Sequence, residues 1–158
     1  KAKDFLQRAF TVIFLATVVI WFLQTFDIRF NVVADQSQSL LAGLGSIIAP
    51  VLAPLGFGDW RASTALVTGL IAKESVISTL TVLLGATSPA VLSTMFSPFT
   101  AYVFLVFTLL YPPCVASIGA VKSELGTRYA AAVIAFQVTV AWIVAFVVHS
   151  AGLLLGLA

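Results

Sequence analysis

Along the chain, long apolar runs alternate with short polar breaks, and several of the runs are long enough to cross a bilayer, which takes about 20 residues of helix. Residues 1–9 are basic and amphipathic. Phe5, Leu6 and Ala9 fall on one side, with Lys1, Lys3, Asp4 and Arg8 around the rest, the pattern of an interfacial lead-in. Residues 10–26 are apolar apart from Thr11, Thr17, Gln24 and Thr25, and carry an aromatic anchor, Trp21 and Phe22, near their far end. Residues 27–39 form a polar loop. Residues 40–57 are apolar again but are interrupted by Gly43, Gly45, Pro50, Pro54 and Gly56. An interior proline removes a helical hydrogen bond and clashes with the previous turn. Broken backbone at membrane depth survives only where protein or a wet cavity satisfies it. The segment is therefore a kinked span or a re-entrant hairpin.

Residues 60–84 form a full-length helical candidate closed by Gly85, and residues 86–97 an uncharged loop with Pro89. Pro98 starts a further span over residues 99–111, which meets Pro112 and Pro113 and resumes over residues 114–124. Gly126 marks a turn, and residues 128–155 make a last long span containing Trp142 and His149. The expected fold is an all-α membrane bundle of four to five spans. It has a Pro-broken or re-entrant segment and a discontinuous helix at the Pro-Pro-Cys run. The basic residues ahead of the first span place the N-terminus in the cytoplasm, and Lys122 and Arg128 prefer that side too. Five spans satisfy this charge rule, with the C-terminus outside. The two prolines favour four spans, with both ends inside.

Composition supports the membrane reading. Of 158 residues, 61% are hydrophobic and 9% charged, against about 25% charged in soluble domains. Mean hydropathy is +1.12. The net charge of +2 is too small to point to nucleic acid. A single cysteine, Cys114, excludes an internal disulfide. The chain begins at Lys1 rather than Met and has no small-residue cleavage site after its first apolar run, so a fragment is expected, not a signal peptide. P-loop, H-E-x-x-H, C-x-x-C and G-x-S-x-G motifs are absent, and no enzymatic activity is expected of this chain.

Two places could carry chemistry. Lys73 and Glu74 fall in the middle of an apolar helix, where a charge costs about 2.5–3.5 kcal/mol on insertion scales and marks a functional site by default. At about 100° per residue, Glu74 sits at the edge of an arc holding Ser63, Thr64, Thr68, Ser75, Ser78 and Thr79, where water or a cation could sit. Lys73 points away from that arc and needs another partner or must snorkel. The alternative is that both make structural ion pairs to neighbouring helices. The second place is Tyr111-Pro112-Pro113-Cys114. The two prolines free carbonyls of the preceding turn, near Phe107, Thr108 and Leu109. Cys114 begins the resumed half-helix, whose dipole and free amides favour a thiolate. A thiolate beside loose carbonyls suits a soft or borderline divalent metal; the plain alternative is a small apolar residue after a kink. Glu124 is expected to form a local salt bridge with Lys122 or Arg128, His149 to sit at an interface, and Gln137 and Thr139 to bond between helices.

These residues resemble a known family. The run from Asp59-Trp60-Arg61 to Thr68-Gly69-Leu70-Ile71-Ala72-Lys73-Glu74 is similar to the G-x-x-A-K-E segment of the large membrane subunit of the Feo family of ferrous iron transporters. Tyr111-Pro112-Pro113-Cys114-Val115-Ala116 with Glu124 downstream resembles that family's Pro-Cys motif and later glutamate. Arg8-Ala9-Phe10-Thr11-Val12-Ile13 resembles the start of its second gate motif, although the family often carries glycine where Phe10 stands. The resemblance covers nearly the whole chain. It implies import of Fe²⁺ across the bacterial cytoplasmic membrane, with Fe²⁺ as transported substrate and no permanently bound cofactor. Residues 1–158 would be the C-terminal half of the transmembrane region, lacking the GTP-binding domain and first gate repeat that act as partners in the family. It also implies that Cys114 and Glu74 line the metal path, with carbonyls of Thr108 and Leu109 contributing. Gly69, Lys73, Ser75, Ser78, Pro112, Pro113 and Glu124 would be motif or pathway positions. Beyond the lipid bilayer, self-association is expected in place of the missing repeat. The rival readings are a gate-type carrier for a nucleoside or other solute, weakly supported by Gln24, Gln137 and Trp142, and a non-transporting assembly module.

Overall fold

A computed structural model of the chain describes residues 2–71, 73, 75–85 and 92–156. Within these the molecule is helical, with one isolated bridge between Phe26 and Val32 closing the first loop. The helices are α1 (Ala2–Thr25), α2 (Leu40–Leu52), α3 (Trp60–Gly69), α4 (Ser75–Leu83), α5 (Leu92–Met95), α6 (Pro98–Leu110), α7 (Val115–Leu125) and α8 (Thr127–Leu154). Local sequence explains most of the boundaries. Ser39 caps α2 by accepting from Ala42 N–H, Asp59 caps α3 through Arg61 N–H, and Ser97 caps α6 ahead of Pro98, each satisfying an orphan donor of the first turn. Gly126, at φ 89°, separates α7 from α8.

Pro50 lies inside α2 without ending it, and α2 continues through a short 3-10 turn to Gly56, at φ 88°. The chain then turns by 104° into α3. By length and composition, residues 98–125 and α8 can each cross a membrane, and the bent pair of α2 and α3 adds a third candidate. The outer surface agrees. Phe10, Phe14, Trp21, Ile47, Phe136, Val147 and Leu154 are exposed, as side chains facing lipid must be. This is a membrane protein.

Inside, α2 packs on α3, α6 on α8, α7 on α8, and α1 on both α2 and α7. The core gathers Leu55, Phe57, Leu66, Val76, Leu80, Phe104, Phe107 and Tyr111. Phe57 meets the edge of the Phe104 ring at 5.2 Å between centroids. The residues that α8 buries are small (Ala130, Ala141, Ala145 and Gly152), which lets neighbouring backbones approach closely.

One expected element differs. Residues 60–84 do not make one helix, because helical structure stops after Gly69 and resumes at Ser75. Leu70 N–H and Ile71 N–H bond three residues back, to Val67 O at 3.2 Å and Thr68 O at 3.0 Å, so the last turn tightens instead of propagating. The hydroxyls of this stretch follow suit. Ser63, Thr64 and Thr68 are buried rather than lining a wet face. Ser63 donates to Asp59 O, and Thr68 donates to Ala65 O with Thr79 Oγ1 3.0 Å away. The expected loop at Pro89 lies outside the described residues.

Candidate functional site

The interruption after α3 and the interruption between α6 and α7 meet. Tyr111 to Cys114 carry no helix, with Tyr111 at ψ 167° and Cys114 at ψ 157°. Pro112 and Pro113 supply no N–H, so the carbonyls of Thr108 and Leu109 lose their helical donors. Leu109 O and Tyr111 O are instead met by Lys73 Nζ, at 3.0 Å each. The same ammonium lies 5.0 Å from the centre of the Tyr111 ring. In the other direction Val115 N–H, an orphan donor of the first turn of α7, bonds Leu70 O at 2.8 Å. Each interruption thus supplies what the other lacks.

Tyr111 is the centre of this crossing. It is buried, stacks on Phe107 at 6.0 Å, and its hydroxyl donates to Leu66 O at 3.4 Å. Gly69 makes room for it, since a Cβ there would overlap both the Tyr111 hydroxyl and a Val76 methyl. A glycine that the resemblance marked only as a motif position therefore has a packing role.

Cys114 is half-buried and occupies the N-cap position of α7, with Sγ 3.5 Å from Ser117 Oγ. Its thiol stands at the positive end of that helix. Glu74, its expected partner, lies outside the described residues. Among the described residues no group of three or more His, Cys, Asp or Glu converges. Of the expected carbonyl contributors, Leu109 O already accepts from Lys73. Lys73, which needs another partner or must snorkel, finds its partners in two carbonyls at the break after α6. The Thr108 hydroxyl turns back to Phe104 O. Ser75 donates to Thr68 O at 3.3 Å, and Ser78 is exposed on α4.

Two peripheral expectations change. Glu124 is exposed and makes no ion pair with Lys122 or Arg128 among the described residues, where Arg61 and Asp59 pair at 3.8 Å. Thr139 bonds within its own helix, to Ala135 O, as a hydroxyl on a continuous helix readily does. His149 packs on Gly56 and stacks on Phe99 at 6.3 Å, with Nδ1 buried and without a hydrogen-bond partner among the described residues. Two partnerships were missed by sequence reasoning. Trp142 Nε1 donates to Val51 O at 2.9 Å, satisfying an orphan carbonyl at the end of α2. For Tyr111, the available signal was a phenol in an apolar run, which needs a hydrogen-bond partner.

Comparison with known proteins adds to this picture. A family model described as Gate: Nucleoside recognition matches residues 6–128. The chain is 35% identical over 98% of its length to an Fe(2+) transporter FeoB of Methanocaldococcus jannaschii, of which it covers 25%. It is 34% identical over 96% of its length to one from Staphylococcus aureus, covering 23% of that protein. A third relative, from Porphyromonas gingivalis, is an Fe(2+) transport protein A/Fe(2+) transporter FeoB fusion protein, 31% identical over 98% of this chain and covered to 24%. The chain thus spans about a quarter of the length of these curated relatives. No solved structure matches it.

Proposed function

This chain belongs to the Gate family, and on that premise we propose that it forms part of the Fe²⁺-conducting region of a larger transporter in the bacterial cytoplasmic membrane. The observation that carries the reading is the meeting of two interrupted helices, which puts a half-buried thiol and non-helical backbone at one crossing. Interrupted helices at mid-membrane are how secondary transporters build ion sites. Fe²⁺ is borderline in softness, so one thiolate with oxygen ligands can hold it without trapping it. Cys114 would bind the ion after losing its proton, Glu74 would supply a carboxylate, and the freed Thr108 carbonyl would help complete a passing site, Leu109 O being taken by Lys73.

In this reading the chain is the second gate repeat, the C-terminal half of the transmembrane region, and is itself a bundle of four to five spans with a discontinuous helix at Pro112-Pro113. The first gate repeat and a cytoplasmic GTP-binding domain complete the transporter, and the chain alone self-associates through the face that the missing repeat would cover. The names of the relatives support iron as cargo. The solute-carrier alternative would use Trp142 as a pocket lining, but its indole N–H is engaged by Val51.

The test is uptake of radiolabelled Fe²⁺ by the whole transporter in proteoliposomes, carrying Cys114→Ser, Glu74→Ala or both. Each single variant should fall to a small fraction of wild-type uptake, and the double variant should be no worse than the more damaging single. Unchanged uptake in the double variant would end the assignment.

A further inference from the structure

We propose that the end of α6 is a monovalent-cation site whose resident occupant is the ammonium of Lys73, and that an external cation of similar size takes the site when Lys73 leaves it. This goes beyond iron conduction, and it assigns a second site with different chemistry from the thiol. The ammonium has backbone oxygens of Leu109 and Tyr111 at 3.0 Å and the face of the Tyr111 ring at 5.0 Å. Neutral carbonyls and an aromatic face are the shell that recognises potassium and ammonium ions. These groups are neutral and by themselves do not offset the dehydration of a divalent ion. The negative end of the α6 dipole adds to its attraction for a cation. The carbonyls and the ring give the Lys73 charge partners in an apolar setting.

The site is built rather than incidental. Pro113 cannot bond Leu109 O, Gly69 admits the Tyr111 ring, and the backbone carrying Lys73 is not helical. A side chain rooted in such backbone can withdraw without unwinding a helix. Its withdrawal empties two oxygens that no backbone N–H replaces, and a free cation is what fills them. Lys73 is thus a tethered substitute ion.

The experiment uses the full-length transporter in detergent and involves no iron, so its outcome is separate from that of the transport assignment. Melting temperatures of wild type, Lys73→Ala and Lys73→Arg are measured in potassium, methylammonium and N-methylglucamine chlorides at equal ionic strength. Wild type and Lys73→Arg should be indifferent to the cation. Lys73→Ala should melt lower in N-methylglucamine and recover by several degrees, saturably, in potassium or methylammonium. If Lys73→Ala does not fold in any salt, Lys73→Gln is measured instead, with the same recovery expected. A folded vacated variant that ignores the cation, or a wild type that responds equally, overturns the proposal.

Discussion

Replacing Gly69 with alanine tests the crossing most directly, because the structure specifies what the added methyl would meet. It would overlap the Tyr111 hydroxyl and a Val76 methyl, whereas the next atom of the tyrosine ring, Cζ, would be an ordinary contact at 3.5 Å. Tyr111 is buried on Phe107 and bonded to Leu66 O, so it has little room to retreat. Overpacking of this kind costs about 1–3 kcal/mol. Tyr111→Phe alone loses one long hydrogen bond, at 3.4 Å, and costs about 0.5–1.5 kcal/mol. Combined, the two changes should not add. Removing the hydroxyl relieves one of the two overlaps, so the double variant should be more stable than additivity requires by about 1 kcal/mol. Because Lys73 depends on the Tyr111 carbonyl, Gly69→Ala should also raise the acylation rate of Lys73 by an amine-reactive reagent. Urea denaturation of the four proteins in detergent gives the cycle, and peptide mass spectrometry gives the reactivity. Strict additivity, or Gly69→Ala at wild-type stability, would show that the close approach at Gly69 is not what holds the crossing.

Further predictions concern single partners. Thr64→Val should leave stability unchanged or raise it by up to about 1 kcal/mol, because the buried hydroxyl has no partner in the α2–α3 contact; a marked loss in chemical denaturation would reveal an acceptor. Trp142→Phe should cost about 1–3 kcal/mol by leaving Val51 O unsatisfied, and a loss below a few tenths in the same assay would contradict that bond. In the loop before α2, the backbone N–H of Ser37, followed by its hydroxyl, holds the Asp35 carboxyl below its ordinary value of 3.8. The folded value is the lower one, so Asp35 supports the fold above the unfolded value and ceases to do so as pH falls through the folded one. A carbon-13 titration of Asp35 should give a midpoint below 3.8, and a midpoint above it would refute the Ser37 bonds.

What could be read from the residues depended on whether the cause was local. Ser97-Pro98 started α6 and Gly126 separated α7 from α8 because cap and turn chemistry act within a few residues. The stop after Gly69 was not legible. No proline marks it, and what completes it is Val115 N–H on Leu70 O and Lys73 on α6, partners about forty residues away in sequence. For the same reason the hydroxyl arc was misplaced. Ser63, Thr64 and Thr68 share a face on an ideal helix, but α2 covers that face, with Gly45 against Thr64. Among the candidate residues, the charge on Lys73 announced the need for a partner, but only the fold could say which carbonyls would answer.

The mutual bonding of the two interruptions also limits how the molecule can move. Sliding one helix pair past the other would strand an ammonium, an amide and three carbonyls together, and each orphaned group in an apolar setting costs about 1–3 kcal/mol or more. Intermediate positions carry most of that penalty with little compensation. Rearrangement at the crossing is therefore a latch with discrete settings: it stays engaged through ordinary fluctuations and releases as a unit when an outside ligand replaces several of those bonds at once.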